Sequence, residues 1–395
     1  MARLINIKAF QEFLASGTAG GIILILCVMI SLTIANSSWA VGFDQLLTTE
    51  IGYHTDSIQL QYSLLTWIND GLMAIFFLLV GLEIKRELIE GELASIKKAT
   101  LPVFAALGGV IVPALIYTFF NKGTTLAGGW GIPMATDIAF ALAVITLLGD
   151  RVPSSLKIFL AALAIVDDLI AILVIAIFYS SSLHYLYLLY AGLIFVLLLI
   201  FNRIGIKNLI FYILPGLLMW YFIHHSGIHA TIAGVLTAFT LPTTADDQPS
   251  PLEKLEHLLV KPVNFIIMPI FALANTNIRY ETGMVEGLFT PLGLGIALGL
   301  LLGKPIGISL LSWIAVRLKI SSKPKGASWK HLIGVGMLGG IGFTMSIFIA
   351  ILSFADASAI LAEAKFSILA GSILSGLIGS LVLISVSKNK KQEKL

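Results

Sequence analysis

Charge is scarce in this chain. Asp, Glu, Lys and Arg supply only 12% of its 395 residues, while apolar residues supply 57%. A soluble domain carries about twice that share of charge. So few charges cannot cover a soluble protein of this length, which leaves a membrane protein. Cysteine is scarcer still: Cys27 stands alone in the middle of an apolar stretch. One cysteine excludes a disulfide framework and any CxxC redox or metal motif, and reads as a small packing residue. No His/Cys set falls at zinc-ligand spacing. No soluble-sized segment remains between the apolar runs. The expectation is a single membrane domain over 1–395, with a short N-terminus at 1–13, a tail at 388–395, and no appended enzyme or nucleic-acid module.

Crossing the hydrocarbon core takes roughly 20 mostly apolar residues. Twelve such runs are present, at 14–35, 62–83, 99–120, 127–148, 155–180, 183–201, 208–223, 227–241, 259–277, 289–316, 331–353 and 364–387. The seventh and eighth are short, and only the polar cluster His224, His225, Ser226, Gly227 separates them. Cations test the count independently. Arg3 and Lys8 precede the first run; Lys85, Arg86, Lys97 and Lys98 follow the second; Arg151 and Lys157 follow the fourth. Arg203 and Lys207 follow the sixth, Lys254 and Lys261 the eighth, and Arg317 through Lys330 the tenth. The alternate loops carry only Lys122, Arg279 and Lys365. Lys and Arg mark the cytoplasmic side, so the pattern predicts an even number of crossings with both termini inside. The first run is long enough to read as a retained anchor rather than a cleaved signal. The loop 36–61 lacks Lys and Arg but holds Asp44, Glu50 and Asp56, which suits the outer face. Within it Ile51–Gln61 alternates loosely, compatible with a hairpin or an irregular loop.

Ionisable groups inside a span are costly and usually face a polar pathway. Asp137 lies near the centre of the fourth run, Asp167 and Asp168 near the centre of the fifth, and Lys304 near the centre of the tenth. An Asp–Lys pair alone would merely lock helices together. Two adjacent carboxylates at mid-depth repel unless they share a cation or proton, so Asp167–Asp168 reads as a cation site. Carboxylate oxygens are hard ligands, suited to sodium, lithium or protons. Two runs also look interrupted: Gly128, Gly129, Gly131 and Pro133 precede Asp137, and Gly334, Gly336, Gly339, Gly340 and Gly342 crowd the eleventh. The exposed ends of broken helices carry partial charges, which Asp137 and Lys304 are suited to offset. Glycines also serve close helix packing. A faint likeness relates the two segments, with Gly131-Ile132, Ile138 and Ala141 opposite Gly340-Ile341, Ile347 and Ala350.

The stretches WINDGLMAIFFLLVGLEIKREL (67–88), GIPMATDIAFAL (131–142), LKIFLAALAIVDDL (156–169), SGIHATIAGV (226–235), GKPIGISL (303–310) and GGIGFTMSIFIA (339–350) resemble the NhaA family of sodium/proton antiporters. The likeness runs from about residue 10 to 385. It implies an all-α polytopic membrane protein of the bacterial inner membrane. The architecture is of inverted repeats with discontinuous helices in runs four and eleven, a family trait. It implies pH-regulated, electrogenic export of sodium and lithium in exchange for protons, with no cofactor. It assigns Asp167 and Asp168 as the ion- and proton-carrying pair. Thr136 and Asp137 stand between the broken helices, with Lys304 as cationic counterpart. Glu83, Arg86, Glu87, Glu256 and His257 resemble the cytoplasmic pH-responsive cluster; here LLVKP follows His257, without a second histidine. Asp70 resembles a residue of the periplasmic entrance, and the loop near 51–61 a hairpin through which the family forms homodimers. Asp70 reads equally as a polar residue at a helix N-terminus, and His229, though it sits in a matching motif, reads first as a packing histidine.

Two other classes compete with antiport. A cation-coupled symporter of a small organic solute would need a roomy substrate pocket. An intramembrane aspartyl protease would need two aspartates on different helices in a Gly-x-Gly-Asp setting, which this sequence lacks.

Overall fold

The computed structural model describes residues 17–55, 59–180, 182–243, 250–281, 283–355 and 357–392. The N-terminal segment 1–13 lies outside the described residues. The tail is described as helical backbone up to Gln392.

The described chain is almost entirely helical, and a helix occupies each of the twelve apolar runs. Eight are long and apolar enough to cross a membrane: Leu64–Ile89, Ile96–Asn121, Ala127–Leu147, Ser154–Phe178, Tyr185–Ile204, Pro251–Asn275, Pro291–Arg317 and Ser358–Ser387. Two bent pairs raise the number to ten if each is one crossing. They are Ala19–Ala35 with Ala40–Thr48, bent by 111°, and Trp329–Leu338 with Phe343–Ser353, bent by 50°. Length and composition thus give eight to ten crossings, short of the expected twelve. The seventh and eighth runs fall out because their helices, Ile210–His224 and Ile232–Thr240, have 15 and 9 residues. A nine-residue helix rises only about 14 Å, half the hydrocarbon thickness.

Short polar residues start these helices where the chain leaves a loop. Ser250 accepts from the Glu253 N–H while Glu253 reaches back to the Ser250 N–H, and Pro251 occupies the first turn, where its missing donor costs nothing. At the start of the tenth helix the Thr290 side chain accepts from the Gly293 N–H, and Pro291 again occupies the first turn. Prolines further in force a different solution. Pro305 and Pro269 each lie two residues beyond a π-helical turn, Gly299–Gly303 and Val263–Ile267. A proline ring crowds the carbonyl four residues back, here Leu301 and Phe265, both inside those turns. Widening the turn relieves the crowding.

The chain divides into two compact units: residues 1–27, 96–167 and 281–395, and residues 28–95 and 168–280. The division falls within the helix Ser154–Phe178. The first unit packs Leu160, Leu163, Ile308, Leu332, Val335 and Ile341 into one core. Gly108 and Gly307 bring its third- and tenth-run helices to backbone contact, since a Cβ on either would lie about 2 Å from the other's carbonyl oxygen. The second unit packs Leu82, Leu198, Tyr212, Met219, Ala238 and Leu252. Large apolar side chains also point outward, with Leu214 60% and Leu381 63% exposed, as lipid contact requires.

Loop 36–61 holds the helix Ala40–Thr48, and beyond it the described residues form an antiparallel ladder. Glu50 pairs with Ser63 and Ile51 with Tyr62, antiparallel, and His54 bridges Gln59. The Trp67 indole N–H holds the Ile51 carbonyl at 2.9 Å.

Candidate ion-binding site

Neither the fourth nor the eleventh run is regular α-helix throughout. A 3-10 helix covers Ala127–Met134, Ala135 and Asp137 are extended, and an α-helix resumes at Ile138. In the eleventh run, helix Trp329–Leu338 ends, Gly339–Gly342 turns, and a helix restarts at Phe343. The breaks are stitched together within the first unit. The Asp137 N–H donates to the Ile341 carbonyl at 2.6 Å, and the Thr136 hydroxyl to the Gly339 carbonyl at 2.7 Å.

Asp137 caps both restarting helices. One carboxylate oxygen accepts from the Phe140 N–H at 3.1 Å; the other accepts from the Thr344 N–H at 3.1 Å and from the Thr344 hydroxyl. Two positive helix ends thus share one carboxylate that is 1% exposed.

Lys304 is wholly buried. Its ammonium donates to Asp167 Oδ2 at 2.8 Å and to Thr136 Oγ1 at 2.9 Å. Its link to a negative helix end runs through Thr136, whose hydroxyl passes on to the Gly339 carbonyl at the end of helix Trp329–Leu338. Asp167 Oδ1 is buried and has no hydrogen-bond partner among the described residues. A buried carboxylate oxygen in that state is a ready ligand for a hard cation or a proton. Asp168 is the next residue on the same helix, turned by about 100°, and is 2% exposed. The fourth, fifth and tenth runs thus meet at Thr136, Asp167 and Lys304, while the fourth run's Asp137 bonds to Phe140 and Thr344. Among the described residues no three His, Cys, Asp or Glu side chains form a metal cluster.

In the second unit Arg86 lies between two acids of the group expected to respond to pH. Arg86 Nε lies 3.0 Å from Glu256 Oε2, and its Nη2 lies 3.4 Å from Glu87 Oε1. Glu83 feels the charges of Glu256, Arg86 and Glu87, and Glu256 that of His257. Asp70 sits in a π-helical turn, Trp67–Leu72, between two histidines: His224 Nδ1 and His229 Nε2 each lie 3.3 Å from its carboxylate.

Some partners escape sequence reasoning. His224 marks only a break between short runs in the sequence, yet it flanks Asp70; histidines spaced five apart across a Ser-Gly turn were its one signal. Lys85 counts as a cytoplasmic charge, yet its ammonium caps the Phe239 and Leu241 carbonyls at the end of the eighth-run helix. Thr344 and Ser346 carry a signal, as hydroxyls directly after a glycine-rich break.

Residues 11–383 match the protein family described as Na+/H+ antiporter 1. The chain is 64% identical over 394 residues to Na(+)/H(+) antiporter NhaA 2 of Flavobacterium johnsoniae, covering 100% of this chain and 96% of that one. It is 51% identical over 380 residues to Na(+)/H(+) antiporter NhaA of Flavobacterium psychrophilum, with 96% and 97% covered. Against the NhaA antiporter of Dechloromonas aromatica the identity is 50% over 388 residues, 98% of each chain.

Proposed function

We propose, on the premise that the chain belongs to the Na+/H+ antiporter 1 family, that its exchange of sodium for protons runs through Asp167 and Asp168. The protein is a multi-pass membrane sodium/proton antiporter. One observation carries the site reading: Asp167 meets Lys304 through Oδ2 while its buried Oδ1 accepts no hydrogen bond among the described residues. A sodium or lithium ion taken up by the carboxylate pair competes with protons and with the Lys304 ammonium for the same oxygens. Mutual exclusion at a site that opens to either side in turn is sufficient for antiport. With more protons entering than sodium ions leaving, each net charge moved inward gains about 2.3 kcal/mol per 100 mV. Asp137 and Lys304 keep the crossed helix breaks electrically balanced through the cycle, with Thr136 between them.

Around this site we read twelve crossings built as inverted repeats, with the fourth and eleventh discontinuous. The local likeness of the two broken segments supports this. The alternation of Lys and Arg favours cytoplasmic termini in a bacterial inner membrane. Glu83, Arg86, Glu87, Glu256 and His257 form the pH-responsive group: coupled acids, an arginine and a histidine change net charge near neutrality and bias the transport equilibrium. Asp70, with its flanking histidines, lines the periplasmic entrance. The hairpin around 51–61 joins two copies within membrane lipid. No cofactor and no nucleic acid take part.

The test is a pH-sensitive dye in everted vesicles. Sodium or lithium added to an acidified lumen dissipates the gradient, and potassium does not. A gradient unmoved by sodium but dissipated by an organic solute would replace antiport with symport.

A further inference from the structure

The two helix breaks touch through a reciprocal pair of bonds. On one side the Asp137 N–H donates to the Ile341 carbonyl at 2.6 Å. On the other, the Ser346 hydroxyl donates to the Ile132 carbonyl at 2.7 Å. Ile132 corresponds to Ile341 in the likeness between the two segments, and the same spacing carries Asp137 onto Ser346. Each half therefore clasps the equivalent carbonyl of the other, but with different donors. The Ser346 N–H is already committed to the Gly342 carbonyl, at 2.7 Å, inside its own helix. Only a side-chain donor can complete the second clasp. Residue 342 accommodates it: a Cβ there would lie 2.2 Å from the Ser346 oxygen and 2.8 Å from the Ala135 carbonyl. Ser346, Ile132 and Thr136 are all fully buried, so the Ile132 carbonyl has no water to replace a lost donor.

We propose that Ser346 is a positioning residue for cation exchange, acting through Thr136. Ile132 stands four residues before Thr136 in the short segment that crosses the break. Holding its carbonyl fixes that segment. Thr136 in turn orients the Lys304 ammonium against Asp167. Without the clasp the segment relaxes, Thr136 shifts, and Lys304 no longer meets Asp167 at its set distance. The cation then competes for an altered carboxylate. This inference rests on the reading of Asp167 and Lys304 as the exchange site.

The experiment titrates sodium against proton flux in proteoliposomes for the parent, Ser346→Ala, Ser346→Thr, Thr136→Val, the double variant Ser346→Ala/Thr136→Val, and Asp167→Asn. Loss of a buried donor is large enough to change apparent KM for sodium by roughly five- to tenfold. Ser346→Ala is expected to raise KM by that factor with maximal rate within about twofold. Ser346→Thr keeps the hydroxyl and restores KM. The double variant matches Thr136→Val alone, because both changes act through one path. Multiplying effects, or a fall in maximal rate at constant KM, would reduce Ser346 to a packing residue. Ser346→Cys replaces either serine variant that does not insert. Normal exchange by Asp167→Asn overturns the site reading itself; a dead Asp167→Asn beside an unaltered Ser346→Ala overturns only this inference.

Discussion

Replacing Lys304 with methionine keeps the length of the side chain and deletes its charge. In the parent the Lys304 ammonium and the Asp167 carboxylate lie 2.8 Å apart, with 0% and 1% of their side chains exposed. Neither group has water to fall back on. Removing one member of such a pair leaves the other uncompensated, a loss of about 3–5 kcal/mol. The bond to Thr136 disappears with it. For a protein of this size a loss of that order lowers the apparent melting temperature by roughly 4–6 °C. Thermal melting of purified protein in detergent, read by loss of the monodisperse chromatographic peak, measures it. Lys304→Met/Asp167→Asn provides the internal control. Eliminating both charges removes the buried unpaired group, so the double variant should recover most of the lost stability while remaining inactive. A Lys304→Met protein that melts within about 1 °C of the parent would show that the pair does not brace the fold. A double variant that melts as low as the two single losses added together would refute the electrostatic argument.

Three other outcomes are expected. Asp167→Asn and Asp168→Asn should each abolish sodium- and lithium-driven proton movement in everted vesicles at normal expression, and near-normal exchange by either would remove that residue from the mechanism. Asp137→Ala leaves two helix starts uncapped, a cost of about 1–2 kcal/mol for each; its melting temperature should fall well below that of Asp137→Asn, which retains one acceptor, and equal melting would place the charge rather than the caps in control. Glu256→Gln and His257→Ala should shift the pH of half-maximal activity more than the maximal rate, because Glu256 holds Arg86 at 3.0 Å far along the chain from the aspartate pair; superimposable pH profiles would move pH sensing to competition at Asp167 and Asp168.

The membrane class followed from composition because a lipid environment tolerates little charge, and 12% leaves few places to put it. The same economy exposed the site: when Asp137, Asp167, Asp168 and Lys304 stand in apolar runs, each is conspicuous by cost alone. The breaks were legible for a related reason, since glycine clusters and Pro133 cannot sustain a regular helix. Helices of 15 and 9 residues were harder, because hydropathy records that a segment is apolar and not how far it rises.

What sequence could not decide was which atoms meet. Lys304 reaches Asp167 Oδ2 and Thr136, and through Thr136 a helix end; one-dimensional spacing says nothing of how three helices rotate about their axes. Asp137 caps two helices because its segment lies against Ile341 and Thr344, and Ser346 reaches Ile132 because residue 342 has no side chain in the way. His224 joined Asp70 for the same kind of reason, from a helix far along the chain. Burial cost is a property of each residue and its neighbours along the chain, so it is written in the sequence. Partnership between distant residues depends on helix packing, where shifts of an ångström choose the partner, and that is settled only when the chain is folded.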